Sequence, residues 1–190
     1  DSLIELTLRH YQYDESTEEV GPKSDLLFFV IDLDRLQTIN EKYGHAAGDK
    51  VLVQVKEILT CVFRVSDFLI RWEGGAFLIV ARFCNRSAGP RMAERLRKAF
   101  ENYHFELGDE QSITCTCSIG FACFPFVIEK PREYSWEDII TIADHGLYVA
   151  KQKRNAWVGF VEPTASLTSD SIDNILHNAH QLLTPGDLKI

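Results

Sequence analysis

The spacing of hydrophobic positions separates strands from helices along most of the chain. Leu26–Asp32 (LLFFVID) is an unbroken apolar run closed by an acid, the pattern of a central strand buried on both faces. From Gly48–Asp49 onward, Val51, Leu52, Val55, Ile58, Leu59, Val62 and Phe63 recur at three- and four-residue spacing and predict a helix with one apolar stripe. Phe68–Trp72 and Ala76–Phe83 flank Glu73-Gly74-Gly75 and read as a β-hairpin. A second helix is expected over Arg91–Tyr103, with Met92, Leu96, Ala99, Phe100 and Tyr103 inward, followed by one strand over Ser112–Phe124. Ser135 followed by Asp138 marks the N-cap of a third helix, whose stripe is Ile139, Ile142, Ala143, Leu147 and Ala150. Ala156–Val161 supplies a last strand.

The order β-α-β-β-α-β with an added α-β suggests an α+β fold: a central antiparallel sheet with helices packed on one face. Residues 1–162 form this domain. Residues 163–190 hold a polar linker, Thr164–Thr168, and a short amphipathic helix marked by Ile172, Ile175, Leu176, Ala179, Leu182 and Leu183.

Charge narrows the partners. With 28 acids against 20 bases the net charge is −8, which argues against sequence-independent nucleic-acid binding and against anionic membranes. A local arginine pocket for a small phosphate ligand remains compatible with it. The longest apolar runs are too short to span a bilayer, and no secretory or transit segment opens the chain, so a cytoplasmic domain is expected. The start at Asp1, without a Met, is expected of a piece of a longer protein. Of the five cysteines, Cys115 and Cys117 alternate toward one face of a strand. Without a second pair or histidines at ligand spacing, buried reduced thiols are expected rather than zinc.

Three groups of residues carry candidate chemistry. Asp32 and Asp34 end a strand beside Asn40 and the Gly44–Asp49 turn, a suitable place for a cation and a phosphate. The Gly74-Gly75 hairpin tip should lie near that strand end. Arg64 and Asp67 stand just before the hairpin. Each also has an ordinary reading: Asp32 as a turn cap, Asn40 as a turn former, Asp49 as a helix N-cap, Arg64 and Asp67 as a solvated ion pair, His45 as a structural hydrogen bonder.

The run IDLDRLQTINEKYGHAAGDKVL resembles the opening signature of the GGDEF (diguanylate cyclase) family. RWEGGAFLIV is similar to its defining hairpin, SIGFA to its next core strand and ADHGLYVAKQKRN to its late helix, a resemblance covering about residues 1–160. It implies a palm-like nucleotide-cyclase fold with helices packed around the sheet. It also implies condensation of two GTP into cyclic di-GMP across an antiparallel dimer, with two Mg²⁺ ions.

The departures matter most. Where the family reads R-x-G-G-[DE]-E-F, the segment Arg71–Phe77 carries Glu73, Gly74, Gly75, Ala76 and Phe77, so the metal-binding acid is a glycine and the glutamate an alanine. Neither side chain offers an oxygen ligand. Asp32 is left as a remnant metal ligand, no catalytic residue is expected, and Mg²⁺ is expected only if a nucleotide site is retained. Asn40 and Asp49 match the family's guanine-reading positions. Lys151 and Arg154 match its triphosphate contacts, with one glycine missing between them.

The family's inhibitory site, R-x-x-D five residues before the signature, is matched by Arg64 and Asp67, with Arg95 on the following helix and Arg91 one turn earlier. An arginine fork suits phosphate oxygens and guanine, and a carboxylate accepts from guanine N–H groups. The expectation is a catalytically degenerate domain that binds cyclic di-GMP as a receptor, as a homodimer, below an N-terminal sensory domain, without nucleic-acid or membrane contact. The alternatives are a GTP-binding regulatory domain without turnover, a residual diguanylate cyclase and a ligand-free dimerisation module.

Overall fold

The computed structural model describes residues 2–14, 25–72 and 74–161. Its centre is β1 (Asp25–Leu33), which is apolar on both sides and therefore needs two covering layers. Leu27, Phe29, Ile31 and Leu33 pack into one core with α3 (His45–Val62) and α4 (Gly89–Asn102). Leu26, Phe28 and Val30 pack into a second core with α5 (Trp136–Lys153) and Leu8 of α1 (Ser2–Asp14). The helices thus cover both faces of the sheet, not one as the element order suggested; a strand with no polar face cannot leave one side to water.

The main sheet has the order β2-β3-β1-β6-β7, with β2 (Phe68–Arg71), β3 (Ala76–Cys84), β6 (Cys117–Phe124) and β7 (Trp157–Phe160). β1 runs antiparallel to β3 and β6, whereas β6 and β7 are parallel, joined across the second core by α5. The strand expected over Ser112–Phe124 is two strands. β5 (Gln111–Thr114) pairs with β4 (His104–Gly108) in a separate ribbon, and β6 joins the main sheet. The break falls at Cys115-Thr116, which turn back onto Asp34: the Asp34 amide donates to the Thr116 carbonyl at 2.8 Å.

Two helices escape the periodicity argument, α1 and the eight-residue α2 (Leu36–Tyr43). α3 begins at His45 with Gly44 as its N-cap, ahead of the expected start at Gly48–Asp49, so Asp49 is an exposed helical residue and not a cap. Ser135 and Asp138 do form the expected capping box. α5 approaches the sheet at Gly120 of β6, where a Cβ would collide with the Ala143 carbonyl and the Leu147 amide. That close seat aims the C-terminal turns of α5 at the end of β1. Among the described residues no helix is long and apolar enough to cross a membrane. The expected linker and tail helix lie outside the described residues.

Candidate functional site

Two concavities hold most of the residues singled out from the sequence. The first, of about 750 Å³, lies at the C-terminal end of β1 and is lined by Asp32, Asn40, His45, Gly75, Lys151 and Arg154, among others. The hairpin tip reaches this strand end as expected. Ala76 pairs opposite Asp32, the Leu33 amide donates to the Gly75 carbonyl at 3.3 Å, and a Cβ on Gly75 would stand 3.2 Å from Asp32 Oδ1. The position that would carry a second acid therefore faces Asp32 without a side chain. Glu73 lies outside the described residues.

Among the described residues, Lys151 makes the ion pairs of this pocket. Its Nζ is 2.8 Å from Asp32 Oδ2, donates to the Leu33 carbonyl at 3.1 Å and stands 3.6 Å from Asp34 Oδ1. Asp34 is buried, and its carboxylate accepts from Thr116 Oγ1 at 2.7 Å, Ser118 Oγ at 2.8 Å and the Asn155 amide at 2.9 Å. Burial alone would raise its pKa, but those hydrogen bonds together with Lys151 outweigh burial and hold it below the ordinary value. Asp34 was grouped with Asp32 from the sequence but given no separate role; the two-residue spacing puts both acids on the α5 side of β1. Among the described residues no group of three or more His, Cys, Asp or Glu side chains is placed to hold a metal ion.

Asn40 packs over Gly48, and its Oδ1 is buried without a hydrogen-bond partner among the described residues. Asp49 does not line the pocket. Arg154, at the C-cap of α5, does, as does Arg35, which the sequence did not single out and whose backbone is left-handed (φ 60°). The His45 side chain is exposed and makes no hydrogen bond among the described residues, contrary to its expected structural role.

The second concavity, of about 690 Å³, lies between the C-terminal end of α3, the end of β3 and α4. Arg64, Asp67, Arg91 and Arg95 all line it, so the four residues singled out through the family resemblance share one cleft. Arg64 and Asp67 do not form the solvated ion pair of the ordinary reading. Asp67 is 7% exposed; its Oδ2 accepts from the Arg64 amide at 2.8 Å and its Oδ1 from the Arg82 amide at 3.1 Å. The carboxylate thus closes the turn into β2. Arg95 donates through Nη2 to the Val62 and Cys61 carbonyls at the end of α3. The guanidinium groups of Arg64 and Arg91 are exposed and make no hydrogen bond or ion pair among the described residues. The cleft therefore presents two unengaged cationic forks beside Asp67 and Arg95, both held by backbone groups.

The family profile described as "Diguanylate cyclase, GGDEF domain" matches residues 5–156. Diguanylate cyclase A of Treponema denticola is 34% identical over 159 residues, which are 80% of this chain and 41% of that protein, so the chain spans less than half of this relative. Among solved structures, the active GGEEF domain of a diguanylate cyclase from Vibrio cholerae superposes with a TM-score of 0.63 at 24% identity, over 80% of this chain and 90% of that one. The GGDEF domain of DgcB from Caulobacter crescentus, in complex with c-di-GMP, gives 0.62 at 22% identity, over 80% and 82%. At these identities the two structures establish a shared fold.

Proposed function

The chain belongs to the GGDEF (diguanylate cyclase) domain family, and we propose that within it this domain is a receptor for cyclic di-GMP that no longer condenses GTP. The observation that carries the reading is the contrast between the two concavities. At the end of β1, Gly75 and Ala76 bring no oxygen donor, and the carboxylate of Asp32 is engaged by Lys151. A pair of divalent ions needs several carboxylate oxygens, which this donor set lacks. The second cleft keeps the complement a dinucleotide calls for: Arg64 and Arg91 for phosphate oxygens and guanine edges, Asp67 beneath them, and Arg95 at the rim. A domain of the same fold crystallised with c-di-GMP supports the choice of ligand.

The test is calorimetric titration of cyclic di-GMP into the wild-type domain and into Arg64→Ala and Arg91→Ala, alongside incubation with GTP and Mg²⁺ or Mn²⁺. Micromolar binding lost in Arg64→Ala and weakened in Arg91→Ala, without product from GTP, is the expected result. No heat at high ligand concentration, or binding indifferent to Arg64, overturns it. A second reading, GTP binding without turnover, rests on Asn40, Lys151 and Arg154 sharing one pocket; it calls for GTP binding that Asn40→Ala weakens and Arg64→Ala leaves intact.

A further inference from the structure

We propose that Lys151 is the built-in cation of the pocket at the end of β1: its ammonium occupies the one position where the remaining oxygen donors converge, and it thereby excludes a divalent ion. Three oxygens from different residues point at Nζ, namely Asp32 Oδ2 at 2.8 Å, the Leu33 carbonyl at 3.1 Å and Asp34 Oδ1 at 3.6 Å. An ammonium is a compact point charge with three donors and suits such a cluster. The remaining oxygen of Asp34 is taken by Thr116 and the Asn155 amide, and Ser118 shares Oδ1, so the cluster has little capacity beyond one monovalent charge.

The seat of Lys151 is not a matter of a loose side chain. It projects from α5, whose approach at Gly120 leaves no space even for a methyl group. Its side chain is 28% exposed and that of Asp34 2%. A tethered ammonium competes with any ion from solution at a high effective concentration. A hydrated Mg²⁺ or Mn²⁺ would have to expel it, dehydrate, and bind beside a displaced positive charge. The glycine at position 75 faces Asp32 and offers nothing to tip that competition. With no acid at position 75 or 76, Lys151 is left as the cation that Asp32 and Asp34 share.

The experiment is a Mn²⁺ titration followed by the free-ion electron paramagnetic resonance signal. It uses the wild-type domain, Lys151→Met, Lys151→Gln, the double variant Asp32→Asn with Lys151→Met, and Lys153→Met as a control for charge on the same helix. Wild type and Lys153→Met should leave the free-ion signal undiminished. Both Lys151 variants should take up Mn²⁺, and the Asp32→Asn double variant should lose that uptake. Melting should agree: the Lys151 variants melt below wild type and recover on adding Mn²⁺, whereas wild type does not shift. Uptake by the wild type that Asp32→Asn removes, or no uptake by a folded Lys151 variant, overturns the proposal. Neither outcome depends on cyclic di-GMP, so its failure is separable from that of the receptor reading.

Discussion

Asp25, which opens β1, and Arg86, in the turn before α4, form an ion pair at 3.0 Å with both side chains buried. Arg86 also donates to the Pro125 carbonyl at 2.9 Å and the Val161 carbonyl at 3.2 Å, and the Tyr11 hydroxyl donates to Asp25. One guanidinium thus ties α1, the head of β1 and the ends of β6 and β7 together, at the opposite end of β1 from Lys151. Removing one partner leaves the other charged and buried. Arg86→Ala or Asp25→Ala should cost about 3–5 kcal/mol in urea denaturation. Arg86→Lys should recover little, because an ammonium cannot reproduce the two-pronged contact.

The residues of the arginine cleft should separate into two kinds. Arg64→Ala and Arg91→Ala remove side chains with no partner among the described residues, and should leave the unfolding free energy within about 0.5 kcal/mol of wild type. Asp67→Ala frees two backbone amides and should destabilise by about 1–3 kcal/mol. Denaturation of the three variants checks this; equal stability in all of them would remove Asp67 from its turn-closing role.

Acid should destabilise the fold through two carboxylates in particular. Glu94 accepts bidentate bonds from Arg97 at 2.9 Å and one from Trp157 at 3.0 Å, and Arg97 is the main cause of its fall to a pKa of about 2. Asp34 is also lowered. In both, the folded pKa lies below the unfolded one, so the stabilisation is present above the unfolded carboxylate range, near about 4. It is lost as pH falls through the folded values. Melting temperature should drop between about pH 4.5 and about pH 2. Glu94→Gln and Asp34→Asn should each flatten that slope.

Native alkylation should discriminate among the five thiols. Cys61 is exposed, whereas Cys115, Cys117 and Cys123 are buried. Burial, reinforced by Asp34, pushes the Cys115 thiol up to about 12, and Cys117 is raised by the same causes. Iodoacetamide near neutral pH should label Cys61 first and reach those three only on unfolding, as read by peptide mass spectrometry. Rapid native labelling of Cys115 would contradict the packing at the β5–β6 break.

Gly120→Ala should be among the costlier small substitutions, by about 1–3 kcal/mol, because its Cβ meets backbone of α5 that cannot rotate away. Thermal melting measures the loss. An unchanged melting temperature would show that α5 can lift from the sheet, and would weaken the case for a fixed Lys151.

Much of the fold was legible along the chain. The Leu26–Asp32 run, the stripe from Val51 to Val62, the hairpin about Gly74-Gly75 and the Ser135 cap each depend on neighbours within a few residues, and local spacing reports such features directly. α2 escaped because eight residues with a single buried position, Ile39, leave little periodicity to detect. The β5–β6 break escaped because an uninterrupted β-rich run gives no sign that Cys115-Thr116 will be recruited by Asp34, 82 positions away from Thr116.

Local spacing was enough to place Arg64 and Asp67 before the hairpin, Arg91 and Arg95 one turn apart on the next helix, and Gly75 and Ala76 at the hairpin tip. Tertiary structure decided what those residues do when they arrive. It turned Asp67 onto the backbone amides of Arg64 and Arg82 instead of the Arg64 guanidinium, covered β1 from both sides and seated Lys151 on Asp32. The Lys151 bond to Leu33 spans 118 positions and exists only because α5 settles closely on Gly120. Spacing constrains neighbours along the chain, but a partner that remote is chosen by how the helices pack.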